Sequence, residues 1–327
     1  MCLINVAIGR TVMIVNIVER HFLSKEAADF IRKETGEEII DIMDIEKEKD
    51  TLVKAEAIIS QRKLTDELVK ECRDLKWIQS FSAGVNVLPL QTLKEMGVKV
   101  TNTSGIHAPQ MTDLAMGMIL AFSRSLVEHI RYQKTLRWTQ EFSYGELLDS
   151  ELLIIGSGKI GEMLAMKAKA FGMRTVGIKR TVKPLENFDE VRPVSELKDA
   201  MKTADYIVIL LPLTPETRNL VDAEALSCMK ESAVFVNLGR GPIVDENSLI
   251  EILRKKKIRG AALDVYKREP LPDDSPLWEL DNVIMTPHVG GWGPGNEMRG
   301  ARLVVDNIRR FRNGEKLINV VDPDMGY

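Results

Sequence analysis

Three polar residues in the C-terminal half, Arg240, Glu269 and His288, are of the types needed for proton transfer on a carboxylate-bearing substrate. Histidine is the side chain whose ordinary pKa lies nearest neutrality, which suits it to give a proton to a developing alkoxide. His288 stands in Thr286-Pro287-His288-Val289-Gly290-Gly291, a glycine-flanked stretch directly after an apolar run. Glu269, in Lys267-Arg268-Glu269-Pro270, is the candidate partner for the second ring nitrogen, where a carboxylate would fix the tautomer. Arg240, in Asn237-Leu238-Gly239-Arg240-Gly241, could fork to a carboxylate and polarise the carbonyl beside it. From residue types alone, a surface histidine and a solvated glutamate remain the alternative. Of the other histidines, His129 falls within a helical pattern and His21 follows a strand near the N-terminus, far from these residues in the chain. His107, near an expected domain junction, is a candidate pocket residue.

A second constellation is Gly156-Ser157-Gly158-Lys159-Ile160-Gly161. It follows the apolar run 151–155 and precedes apolar residues at 160, 163, 164, 168 and 171, the spacing of one helical face. In a strand–turn–helix of this kind, Gly156 permits the tight turn and Gly158 lets the backbone approach a pyrophosphate. Gly161 lets helix and strand pack closely. The helix N-terminus then offers unpaired N–H groups to the phosphates. A glycine-rich turn without a ligand is the alternative. The next strand, 174–178, leads into Lys179-Arg180-Thr181, with no carboxylate until Glu186. An acidic residue there would bind ribose hydroxyls, whereas these cations and the hydroxyl suit a 2′-phosphate. NADP(H) is the favoured cofactor, and NAD(H) is admissible if the cations only line the surface.

These residues need a scaffold of parallel strands. Residues 13–18, 56–60, 76–81 and 98–101 read as strands, with helical patterns at 24–35 and 64–72 and a long helix at 109–130. Residues 131–150 are less periodic. Further strands are expected near 151–155, 174–178, 205–211, 233–237, 259–264 and 283–286, and a terminal helix at 294–313 that packs back on the first domain. The alternation predicts an α/β fold with doubly wound, largely parallel sheets.

A chain of 327 residues has room for two domains, and its net charge of −3 gives no reason to expect nucleic acid or an anionic membrane as partner. The one basic cluster, Arg254-Lys255-Lys256-Lys257, ends a helical pattern and reads as a solvated face complementing the helix dipole. Cys2, Cys72 and Cys228 are far apart, which fits a reducing, cytoplasmic setting with no disulfide framework and no metal-ligand spacing. No apolar stretch approaches the roughly 18–20 residues that span a bilayer. Met13 opens the run MIVNIV, so residues 1–12 are expected to precede the fold.

Taken in order, GSGKIG, LLPLTPETRNLV, NLGRGPIVDENSL and ALDVYKREPLPDDSPLWELDNVIMTPHVGG resemble the D-isomer-specific 2-hydroxyacid dehydrogenase family, glyoxylate/hydroxypyruvate reductases included. The likeness runs from about Ser80 to about Ile308. It implies two Rossmann-like α/β domains with an active-site cleft between them. Residues 1–102 plus 291–327 would form a flavodoxin-like substrate-binding domain, and 103–290 the dinucleotide-binding domain. It implies Arg240 on the substrate carboxylate and carbonyl, His288 as acid–base with Glu269 as its partner, and Asp264 on the nicotinamide carboxamide. Ser157, Lys159, Ile160, Leu211, Pro212, Thr217, Leu238 and Gly239 would complete the cofactor contacts. Phe81-Ser82-Ala83-Gly84-Val85-Asn86 resembles the family's substrate loop, in which Ala83 lines the substrate and the N–H groups of Gly84 and Val85 receive its carboxylate. Family members are as a rule homodimers, and helix 109–130 resembles their dimerisation element.

The sequence departs from the family pattern at several points. Lys179 replaces the acidic residue, Asn86 stands where many relatives have aspartate, and Trp292 is bulkier than the usual residue there. Trp292 either narrows the pocket or packs at a hinge, and Trp138 raises a similar question from a partner subunit. The implied activity is reduction of a small 2-oxo acid to a D-2-hydroxy acid. The alternatives are a dinucleotide-sensing, corepressor-like binding protein and a phosphoglycerate dehydrogenase.

Overall fold

The computed structural model describes residues 12–18, 23–85 and 87–326. Most of the N-terminal stretch expected to precede the fold, His21 and Asn86 lie outside the described residues. Two compact units divide the rest: one runs to Ile106 and resumes at Gly293, and the other is His107–Trp292.

The first unit opens with β1 (Ile14–Ile17), α1 (Lys25–Thr35), β2 (Ile39–Ile42), α2 (Lys49–Leu52) and β3 (Ala57–Ser60). It continues with α3 (Asp66–Glu71), β4 (Trp77–Ser80), α4 (Leu90–Glu95) and β5 (Lys99–Thr101). All strand pairings are parallel, in the order β2-β1-β3-β4-β5, the flavodoxin-like arrangement. β1, β3 and β4 are buried along their whole length. Helices on both faces explain why these strands read as continuous apolar runs. α1 starts where the Ser24 side chain accepts from the Ala27 N–H at 3.2 Å and stops at Gly36, which has φ 67°. β2 was not anticipated. Its IIDI run is short and polar at Asp41, which is held by Asn16 Nδ2 at 2.8 Å and Arg32 Nη2 at 2.6 Å.

The second unit begins with α5 (Ala108–Ser123) and α6 (Leu126–Lys134). The single helix expected over 109–130 is therefore two, and α6 extends into the stretch read as aperiodic. Ser125 takes a left-handed φ of 51°, which breaks the hydrogen-bond ladder although the apolar pattern runs through it. Then follow β6 (Glu151–Ile155), α7 (Lys159–Ala170), β7 (Arg174–Ile178), β8 (Glu190–Arg192), α8 (Leu197–Thr203) and β9 (Tyr206–Ile209). α9 (Ala223–Ser227), β10 (Val234–Asn237), α10 (Glu246–Arg254), β11 (Gly260–Leu263) and β12 (Val283–Met285) complete it. The seven strands are parallel in the order β12-β11-β10-β9-β6-β7-β8. This is the doubly wound order, reversing between β6 and β9, and ligands of such sheets sit beyond the carboxyl ends of the strands at that reversal. β8 escaped the sequence reading because it is a three-residue edge strand, Glu-Val-Arg, with no apolar run.

The final helix, α11 (Asn296–Asn313), lies in the first unit and packs against α1. Its Ala301, Val304 and Ile308 join Ile14, Ile31 and Trp77 in one core, as the amphipathic tail predicts.

Candidate active site

The three candidate chemical residues follow the carboxyl ends of three adjacent strands, Arg240 after β10, Glu269 after β11 and His288 after β12. His288 Nδ1 and Glu269 Oε2 are 2.6 Å apart. The other carboxylate oxygen of Glu269 accepts the Tyr266 N–H at 3.0 Å, so the acid is held at both ends. Partial burial works to raise the Glu269 pKa. Hydrogen bonds from His288 and Tyr266, with the charges of His288 and Arg240, outweigh it and hold the carboxyl below its ordinary value. The Arg240 charge thus reaches the pair, while its Nη1 donates to the Gly239 carbonyl at 2.7 Å.

His288 adopts a left-handed φ of 54°, and Asp264 supplies the bonds that keep it there. The Asp264 carbonyl accepts the His288 N–H at 2.8 Å. Its carboxylate, 2% exposed, accepts from Thr286 Oγ1 at 2.6 Å and from the N–H groups of Val289 and Gly290 at 2.9 Å each. Beyond the histidine, the Gly291 carbonyl meets His107 Nδ1 at 3.0 Å and Gln110 Nε2 at 2.8 Å. His107, the residue just before α5, thus ties that end of the helix to the end of the histidine loop.

The glycine-rich turn has the shape a pyrophosphate requires. Gly156 has φ 111°, and a Cβ there would meet the Leu210–Leu211 backbone at 2.9 Å. A Cβ on Gly161 would meet the Gly156 carbonyl oxygen at 2.6 Å, whereas one on Gly158 would meet nothing within 4 Å. The tight turn and the close helix contact are thus built in, and the approach over Gly158 is open. The N-terminus of α7 has no side-chain cap, and its positive dipole end faces the turn where an anion would sit.

In the first unit, the loop after β4 is held through its carbonyls. The carbonyls of Phe81, Ser82, Ala83 and Val85 accept from Gln61 Nε2, Thr103 N–H, Asn102 Nδ2 and Leu88 N–H respectively. Among the described residues, nothing accepts from the N–H groups of Ala83, Gly84 and Val85.

Comparison with known proteins agrees with this geometry. The family model described as D-isomer specific 2-hydroxyacid dehydrogenase, NAD binding domain, matches residues 116–290. The chain is 36% identical over 258 residues to glyoxylate/hydroxypyruvate reductase A HPR2 of Arabidopsis thaliana, covering 78% of this chain and 81% of that one. The chain belongs to the D-isomer-specific 2-hydroxyacid dehydrogenase family. It is 34% identical over 290 residues to a D-3-phosphoglycerate dehydrogenase of Methanocaldococcus jannaschii, covering 88% of this chain but only 54% of that longer relative. A D-isomer specific 2-hydroxyacid dehydrogenase of Xanthobacter autotrophicus Py2, crystallised with NADPH and MES, superposes with a TM-score of 0.82 at 27% identity. That alignment covers 97% of this chain and 100% of that one. This 2-hydroxyacid dehydrogenase is an NAD(P)-dependent oxidoreductase.

Within this family member, several expected cofactor residues are engaged with the protein itself. Ser157 is 2% exposed and its hydroxyl donates to the Ile178 carbonyl at 3.3 Å, so only its backbone faces the turn. Lys179 Nζ donates to the Ser157 carbonyl at 2.9 Å, bracing the glycine turn from β7. Thr217 Oγ1 donates to the Pro212 carbonyl at 2.7 Å and accepts the Thr214 N–H at 2.7 Å, closing the turn that carries Leu211 and Pro212. Leu238 is a core side chain, and a Cβ on Gly239 would meet the Leu211 carbonyl oxygen at 2.8 Å. Lys159 is exposed and Ile160 half-buried at the start of α7, and Arg180 and Thr181 are exposed at the end of β7. Arg180 helps hold the Glu216 carboxyl below its ordinary value, after the Thr214 hydroxyl and the backbone at Glu216. His129 lies outside the site, with Nε2 2.9 Å from the Tyr144 hydroxyl. Trp292 and Trp138 are 77% and 92% exposed. Thr286, Tyr266 and Gln110 were missed by sequence reasoning, because a threonine, a tyrosine and a glutamine carry no spacing signal of their own. No helix among the described residues is long and apolar enough to cross a membrane.

Proposed function

We propose that this enzyme reduces a small 2-oxo acid of the glyoxylate or hydroxypyruvate class to its D-2-hydroxy acid, with NADP(H) as the preferred cofactor. The observation that carries the reading is the 2.6 Å His288–Glu269 pair, with the Arg240 charge upon it, on the sheet that also bears the glycine-rich turn. When bound, the nicotinamide supplies a hydride for the carbonyl carbon. Arg240 binds the carboxylate and polarises the carbonyl oxygen. His288 gives the proton to that oxygen from Nε2, while Glu269 on Nδ1 fixes ring and tautomer. Gly84 and Val85 offer N–H groups to the substrate carboxylate, with Ala83 beside them. The first unit is accordingly the substrate-binding domain and the second the dinucleotide-binding domain. Asp264 builds the His288 loop and, at the end of β11, would anchor the carboxamide of a bound nicotinamide.

The NADP(H) preference rests on Arg180 and Thr181, exposed after β7. The Xanthobacter autotrophicus relative, solved in complex with NADPH, supports the same choice. Leu126, Ile130, Leu136 and Trp138 leave apolar surface exposed around α6, which supports a homodimer through this region. The buried thiol of Cys72 and the free Cys228 suit a reducing, cytoplasmic setting. The test is turnover of a panel of 2-oxo acids, glyoxylate to phenylpyruvate, with NADPH and NADH in parallel. Turnover of a small acid with NADPH, abolished in His288→Ala, supports the reading. Tight dinucleotide binding without turnover of any acid overturns it in favour of a sensor.

A further inference from the structure

We propose that Asn102 is a positioning residue for substrate binding, aiming the amides of the loop after β4, and that Asn319 in turn sets Asn102. This rests on the reading that the Gly84 and Val85 amides receive the substrate carboxylate. A peptide unit is planar and trans, so its C=O and N–H point in opposite directions. Whatever holds the Ala83 carbonyl therefore aims the Gly84 N–H, and whatever holds the Ser82 carbonyl aims the Ala83 N–H. Two consecutive residues hold both: Asn102 Nδ2 donates to the Ala83 carbonyl at 2.9 Å, and the Thr103 N–H donates to the Ser82 carbonyl at 3.0 Å.

The orientation of the Asn102 amide is determined. Its Oδ1 accepts the Ser104 N–H at 3.0 Å, so its Nδ2 must face Ala83, and the residue is buried. Its backbone is clasped by the C-terminal segment. The Asn102 N–H donates to the Asn319 carbonyl at 3.2 Å, and Asn319 Nδ2 donates to the carbonyls of Asn102 at 3.1 Å and Ser104 at 2.8 Å. Asn319 makes these contacts from a left-handed φ of 56°, which asparagine tolerates better than most side chains. The consequence is chemical: the Ala83 and Gly84 N–H groups stay open while the carbonyls of their peptide units, Ser82 and Ala83, are pinned, an anion receptor organised before the ligand arrives.

The experiment compares wild type with Asn102→Asp, which keeps the shape but cannot donate to Ala83, and with Asn319→Gly, which suits the backbone but removes the donor. All are assayed as full-length enzyme with NADPH, glyoxylate, and a small aldehyde lacking a carboxylate. Asn102→Asp should raise the KM for glyoxylate about tenfold, the effect of one lost hydrogen bond. Its kcat, its NADPH affinity and its aldehyde turnover should change far less. Asn319→Gly should shift the same KM in the same direction by a smaller factor. An unchanged glyoxylate KM in both variants, or equal losses with acid and aldehyde, overturns the proposal. Gly84→Pro, which deletes the N–H itself, separates the two levels. If it leaves the glyoxylate KM unaltered, the carboxylate assignment fails. If it raises that KM while Asn102→Asp does not, only the positioning role fails.

Discussion

The Glu269 carboxylate lies 2.6 Å from His288 Nδ1 although nineteen residues separate the two in the chain. β11 and β12 are parallel neighbours, so loops leaving their carboxyl ends meet on one side of the sheet. Because burial is outweighed by hydrogen bonds and positive charge, the carboxyl stays ionised below its ordinary range.

A carboxyl whose folded pKa is depressed stabilises the fold above its unfolded value, and that stability is lost as pH falls through the folded value. The stability gap between wild type and Glu269→Gln should hold from neutrality downward and close below pH 4.5, the ordinary glutamate value. Denaturant unfolding of both proteins across that range reads the gap. At neutral pH, Glu269→Gln should lower kcat on the order of 10²-fold by losing the fixed tautomer. A kcat within threefold of wild type would remove Glu269 from the mechanism.

Asp264 should matter to the His288 loop more than its charge suggests. Asp264→Asn replaces an acceptor of three hydrogen bonds by an amide that cannot satisfy them all. The expected cost is about 1–3 kcal/mol of stability, with a fall in kcat. Thr286→Val, which removes one of those bonds, should show the same pattern at about 1 kcal/mol. Thermal unfolding and steady-state rates check both, and a Thr286→Val loss exceeding that of Asp264→Asn would contradict the arrangement.

The glycine turn separates packing from binding. Gly161→Ala forces a Cβ onto the Gly156 carbonyl oxygen and should destabilise by about 1–3 kcal/mol. Gly158→Ala has space in the protein and should leave stability intact while weakening dinucleotide binding, because its methyl projects where the phosphates approach. Unfolding curves and cofactor titrations distinguish the two, and equal destabilisation by both would be inconsistent with the open approach over Gly158.

Cofactor choice should divide between strut and reader. Arg180→Ala should weaken NADPH about tenfold or more, as a charge-assisted bond to the 2′-phosphate is lost, and leave NADH nearly unaffected. Lys179→Met should weaken both cofactors, because the amine braces the Ser157 carbonyl in the turn. Fluorescence titration with each nucleotide measures this, and equal losses for both cofactors in Arg180→Ala would remove it from 2′-phosphate recognition.

Much of the molecule was legible in the chain because its signals are local. Apolar runs such as Leu152–Ile155 and Val234–Val236 are buried strands of parallel sheets, and Gly156, Gly158 and Gly161 mark a turn whose sterics depend on adjacent backbone. The motifs bearing Arg240, Glu269 and His288 stood out through their likeness to the family, whereas residue types alone left a surface histidine and a solvated glutamate open. What misled was continuity of pattern: the apolar face across Arg124 and Ser125 hid a break in the helix, and Asp41 and Glu190 disguised β2 and β8.

The sequence by itself determined the two α/β units, the glycine-rich turn and the candidate acid–base residues. The tertiary structure alone decided which donor meets which acceptor: Lys179 on the Ser157 carbonyl, Asp264 under the His288 loop, Asn102 on the Ala83 carbonyl. These partners lie 19 to 26 residues apart in the chain. Their meeting depends on which strands become neighbours in the sheet, and no periodicity within a strand or helix encodes that order.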